Sequence, residues 1–171
     1  MKDTEDASRP EALIDVLVPA YTSRVRENVQ VGDDLFTTEV PGLQLALARP
    51  PVTITLEMHR LDGTTLQAEL PFPDEACALV LKTLATTVRS KDTDIADLWR
   101  CLEIAFAARL GPADFTRGVR AEAAGVIRSL FSSRRGAPVA ALAAEQRLSA
   151  EAADVRFTRI QALIARVLGP P

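Results

Sequence analysis

The feature that most limits what this chain can fold into is a change of hydrophobic period at Pro71 and Pro73. Before it, Val52, Ile54, Leu56 and Met58 alternate with Thr53, Thr55, Glu57 and His59. A period of two belongs to a strand. Asp62-Gly63 is a tight-turn pair. Leu66, Ala68 and Leu70 then return on a second arm, with Gln67 and Glu69 facing the other way. Residues 52–70 therefore read as a hairpin with one wet face. After the prolines, Ala76, Leu79, Val80, Thr83, Leu84 and Thr87 recur at three-four spacing, and Cys77, Ala78, Leu81 and Ala85 widen the band. That is the pattern of a central helix.

On either side of this switch the same division holds. Residues 1–11 form a polar leader, 12–72 a β-rich part and 73–171 a helical part. ALIDVLVP, residues 12–19, is nearly continuous in apolar residues, as expected of a short strand buried on both faces. Residues 20–34 read as a loop or weak strand, and Leu35 to Val40 as a strand. Pro41 offers a first helical turn to a short helix containing Leu43, Leu45, Ala46 and Leu47. A second long helix carries Ile95, Leu98, Leu102, Ala105 and Phe106 on one face and ends at Gly111-Pro112. A third is expected after Asp114 as its N-cap, with Phe115, Val119, Val126, Ile127 and Leu130 inward. Ala-rich turns over 138–147 precede a last helix capped by Ser149, with a stripe of Phe157, Ile160, Ile164 and Val167. The expected class is α+β: a small N-terminal mixed sheet with a β-hairpin, then a C-terminal helical bundle.

Composition removes several function classes. Twenty basic residues against 23 acidic ones leave a net charge of −3, which argues against a dedicated basic nucleic-acid binder. Arg117, Arg120, Arg128, Arg134 and Arg135 give the helical half a basic side, diluted by Glu122 and the acidic total. No apolar run approaches the roughly 20 residues of a membrane helix. The opening MKDTEDASRPEA lacks the basic and apolar regions of a signal peptide, so the expected compartment is the cytoplasm. Cys77 and Cys101 sit in apolar helical patterns, the setting of reduced core thiols. One His and two separated Cys make no zinc framework. His59 falls on the wet face of its strand and reads as a bystander, and there is no glycine-rich phosphate loop. Neither Ser23 nor Ser132-Ser133 stands in a nucleophile elbow.

Three features could carry chemistry. Asp15 lies inside ALIDVLVP, and a carboxylate on a buried strand is costly unless paired or metal-bound; the alternative is an edge strand on which it faces water. Lys82 is the only charge between Glu75 and Arg89. Its stem can lie along apolar surface with the ammonium in solvent, or its head can meet a phosphate. Third, Arg89, Lys91, Asp92, Asp94 and Asp97 cluster in RSKDTDIADLW. Asp94 and Asp97, three apart, share a helix face near its N-terminus, where capping alone accounts for them. A two-helix hairpin through SKDT sets Lys82 beside Asp97, with Arg89 as the rival partner.

The order IDVLVPAYTSR, TTEVPGLQLALARPPVTITL, a DG hairpin and LPFPDEACALVLKTLATTVRSKDTDIADLWRCLEIA resembles the later portion of bacterial AbiEii/AbiGii-type nucleotidyltransferases, which are abortive-infection toxin-like proteins. The most specific piece is an ALVLK helix followed by R-x-K-x-x-D-x-x-D-L-W. The resemblance implies a fold that holds Mg²⁺ and a nucleoside triphosphate. It makes Asp15 the strand-borne metal ligand and Lys82, Asp94 and Asp97 the downstream catalytic positions, with Lys82, Arg89 and Lys91 toward the nucleotide. These 171 residues contain no G-S…D-x-D block, which supplies two of the family's three metal carboxylates. The expectation is a shortened nucleotidyltransferase, inactive alone, with an RNA or protein acceptor only if the site is completed. The alternative is a non-enzymatic interaction or regulatory subunit on a remnant fold. Either form would leave a sheet edge near residues 12–18 open to a second copy or a protein partner.

Overall fold

The computed structural model describes residues 16–20, 26, 29–31, 35–88 and 92–170. Among them the chain is α+β. Strands β1 (Val16–Pro19), β2 (Val29–Gln30) and β3 (Phe36–Val40) form one small mixed sheet. β1 runs parallel to β3, pairing Val16 with Thr37 and Val18 with Glu39, and β2 runs antiparallel on the other side of β3. β3 is therefore central, and its inward Thr37 and Glu39 are buried. A buried carboxylate needs a partner. Arg26 supplies one: its Nη2 and Nε donate to Glu39 Oε1 at 2.6 and 3.1 Å, and its backbone N–H donates to Oε2 at 3.1 Å. These bonds hold the Glu39 carboxyl below its ordinary pKa.

β1 departs from the expected strand in burial. Leu17 is 53% exposed, and Val16 and Val18 are half-buried. Only β3 flanks it among the described residues, so Val16–Pro19 stands at the edge of this sheet, while residues 12–15 of the expected strand lie outside the described residues. Helix α1 (Leu43–Leu47) follows β3. Pro41 lies outside it: the N-cap is Gly42, whose φ of 80° is in the left-handed region. A Cβ there would also stand 3.1 Å from Leu84 Cδ1, so glycine lets the chain approach the following helix closely.

β4 (Val52–His59) and β5 (Thr65–Phe72) form the hairpin as the alternation indicates, as a separate two-stranded sheet. The turn is longer than a two-residue one: residues 60–64 close it, with Arg60 N–H donating to Thr64 O at 2.8 Å and Gly63 at φ 82°. Asp62 Oδ1 accepts from the Thr64 N–H and hydroxyl at 2.9 and 2.6 Å. The expectation of one wet face is corrected here. Every hairpin side chain is exposed except the half-buried Ala68; among the described elements none packs extensively against its apolar side.

The core belongs to the helices. α2 (Glu75–Val88) and α3 (Asp92–Ala107) form an antiparallel pair; a 3-10 turn (Pro112–Phe115) leads to α4 (Gly118–Leu130), α5 (Ala137–Glu145) and α6 (Ala150–Val167). α3 packs on α2, α5 and α6, while α4 packs on α2. Leu79, Leu98, Leu102, Ile127, Phe131, Leu142, Ile160 and Leu163 are almost wholly buried among them. Ser149 caps α6, its Oγ accepting from Ala152 N–H at 3.2 Å. Asp114 does not cap α4; its Oδ2 accepts from Gly111 N–H at 2.9 Å within the 3-10 turn, and α4 begins after Arg117. Phe106 and Thr87 lie at the fringes of their helical stripes and are exposed.

The candidate site between the first two long helices

α2 starts on a firm cap. Asp74 Oδ1 accepts from Cys77 N–H at 2.8 Å, and Asp74 Oδ2 meets Arg49 Nε at 2.6 Å, tying the segment after α1 to the helical body. Burial pushes the Asp74 carboxyl up, but the Cys77 bond and the Arg49 charge outweigh it and leave it below its ordinary pKa. With its first turn fixed, α2 buries Leu79, Val80, Thr83 and Leu84 and carries Lys82 along the border of that stripe.

The return of α3 brings its first turns against Lys82. Lys82 Nζ donates to Asp94 Oδ1 at 3.1 Å and meets Asp97 Oδ2 at 2.9 Å. Arg100 Nη1 donates to Asp97 Oδ1 at 2.7 Å. Exposure grades across the cluster: the Asp94 side chain is 4% exposed, Lys82 24% and Asp97 39%. Among the described residues, two cations here face two anions. Burial alone would lower the Lys82 pKa; the bonds to Asp97 and Asp94 more than reverse this and hold it above its ordinary value. The Lys82 bond, against some desolvation and with help from Arg100, holds Asp97 below its ordinary value. Beside them burial raises the Cys101 thiol, with Lys82 opposing.

Lys82 and Asp97 are thus neighbours, as the spacing through SKDT indicates. Asp94 is the second partner and the more buried of the two. Its signal was its place on the same helix face as Asp97, three residues earlier. Asp15, Arg89 and Lys91 lie outside the described residues, as does the Asp92 side chain. His59 is an exposed bystander, 3.2 Å from Glu57 and 3.3 Å from Thr65.

The donor set described here does not suit Mg²⁺. An ammonium already sits within 3.1 Å of one oxygen from each carboxylate, and a divalent cation in that position would meet a fixed like charge. Among the described residues no group of three His, Cys, Asp or Glu side chains gathers to hold a metal. A phosphate would have to displace two carboxylates from Lys82. The arrangement is chemically a clasp between two helices.

The clasp has a defined pH signature. Asp97 titrates below its ordinary 3.8, so its contribution is present above that value and is lost as pH falls through the lower folded value. Lys82 titrates above its ordinary 10.5, so its contribution is complete below that value and is lost as pH rises through the higher folded one. Wild type is expected to exceed Asp97→Asn in stability by at most about 1 kcal/mol, given the exposure of Asp97. That margin should be flat from about pH 5 to about pH 9 and vanish toward about pH 2 in urea unfolding. A margin unchanged in strong acid would contradict the pairing.

No helix among the described residues is long and apolar enough to cross a membrane. Comparison with family models, curated proteins and solved structures gives no match for this chain.

Proposed function

We propose that this chain is nucleotidyltransferase-like, of the AbiEii type, and that these 171 residues do not transfer a nucleotide by themselves. The single observation that supports this is the meeting of Lys82 with Asp94 and Asp97 at 3.1 and 2.9 Å. The three residues that the resemblance assigns to one functional region converge between two helices. They do so with the Lys82 ammonium already engaged by both carboxylates, which a triphosphate would have to displace. In the complete family form, Mg²⁺ and a nucleoside triphosphate supply the transfer chemistry. Here the G-S…D-x-D carboxylates are not in the sequence, and one strand carboxylate cannot hold the two-cation geometry of in-line transfer. Incubation with Mg²⁺, labelled triphosphates and RNA or protein acceptors should give no product. Metal-dependent labelling lost in Asp15→Asn would overturn the proposal.

A second reading, an interaction or regulatory subunit in the cytoplasm, is favoured by β1. Its outer edge has no neighbour among the described strands, and Leu17 is 53% exposed beside it. Such an edge is a template for strand addition.

A further inference from the structure

The hairpin carries a second surface, separate from the β1 edge and independent of both readings above. In the antiparallel register, residues directly opposite each other share a face. Val52 pairs with Phe72, Ile54 with Leu70, Leu56 with Ala68 and Met58 with Leu66, so one face consists of four wholly apolar rungs. The other face pairs Thr53 with Pro71, Thr55 with Glu69, Glu57 with Gln67 and His59 with Thr65. The division into faces is therefore complete. Yet the apolar face is open: Val52 is 46% exposed, Met58 44% and Phe72 41%, with Ile54, Leu56, Leu66 and Leu70 close to these values. A lone two-stranded hairpin is marginal in water, and contiguous apolar patches of this size mark interaction sites.

We propose that this face is the interface of a homodimer, in which the hairpins of two copies pack face to face. Two properties of the face select a second copy as occupant. The first is area. Seven large side chains at these exposures present on the order of 500 Å² per copy, so that two copies bury roughly 1,000 Å², the floor for a specific interface. The second is charge. None of the eight positions is ionisable, so the face meets itself without like-charge contact, while the acidic Glu57 and Glu69 stay on the outer side. Shape agrees: a twofold axis along the strands sets each Leu56 over the Ala68 of the other copy, large against small. The same axis sets Met58 over Leu66 and Ile54 over Leu70.

The test is the mass of the full chain by light scattering and sedimentation from about 1 μM to about 1 mM. Wild type should pass to twice the 18.5 kDa of one chain. Ile54→Glu should raise the dissociation constant by roughly 100-fold or more, because each dimer then buries two unpaired carboxylates. Thr55→Lys on the outer face and Leu17→Lys on β1 should leave it unchanged. Hydrogen exchange on wild type decides the matter should Ile54→Glu fail to fold: protection over residues 52–72 should rise with concentration. A monomer throughout the range overturns the proposal, whether the face stays open or is covered by another part of the chain. A dimer abolished by Leu17→Lys but untouched by Ile54→Glu overturns it too, and assigns association to the β1 edge.

Discussion

Phe131→Ala is expected to lower the free energy of unfolding by about 3–5 kcal/mol. Phe131 closes α4 and is fully buried. Its backbone is bound on both sides: the N–H donates to Ile127 O at 3.1 Å, and its carbonyl accepts from Gln161 Nε2 at 2.6 Å. Those bonds anchor the position, so the surrounding helices cannot close over the lost ring and a cavity remains. Against the 5–15 kcal/mol typical of a whole domain, about 3–5 is a large share. Phe72→Ala, the same truncation on the exposed hairpin, should cost the monomer far less. Urea unfolding followed by the fluorescence of Trp99, the one tryptophan, separates the two. Equal losses would mean that the hairpin belongs to the cooperative core.

The second large effect is at Lys82. Lys82→Met keeps much of the apolar stem but removes the ammonium from Asp94 and Asp97. Asp94 is then left almost fully buried without that cation and beside a second carboxylate. The expected loss is about 2 kcal/mol, below the 3–5 kcal/mol of a wholly buried pair because Lys82 is itself 24% exposed. Adding Asp94→Asn to Lys82→Met should recover part of the loss, since the buried carboxylate that Lys82 faced is then neutral. Strict additivity of the two substitutions, measured by urea unfolding at neutral pH, would contradict a direct pairing.

What could be read from the residues follows from what periodicity encodes. The hairpin was legible because alternation from Val52 to Met58 fixes which side chains share a face. Its two-sided exposure was not, because alternation says which face is apolar and not whether another layer covers it. The same limit explains β1: an unbroken apolar run fits a strand between two layers, but the layer must come from elsewhere in the chain. Asp114 met the rule for an N-cap, yet Gly111 claimed its carboxylate three residues away. Phe106 satisfied the helical stripe and still lies outside the packed layer, where Arg159 covers its ring at 5.2 Å. The Lys82–Asp97 pairing could be anticipated because it depends only on helix pitch and a short connection. The Glu39–Arg26 bridge could not, since the two residues lie 13 apart and no periodic pattern links them.

The most direct test of the clasp is the side-chain ammonium spectrum of Lys82 by ¹⁵N-edited NMR, recorded alone and with Mg²⁺ and ATP. Held between Asp94 and Asp97, its ammonium protons should exchange slowly and stand apart from the solvated lysines. The signal should lose that protection in Asp97→Asn and stay unmoved as Mg²⁺ and ATP are added to wild type. A saturable shift of the Lys82 signal on adding Mg²⁺ and ATP would show the ammonium leaving its carboxylates for phosphate, and would contradict a closed, non-transferring clasp.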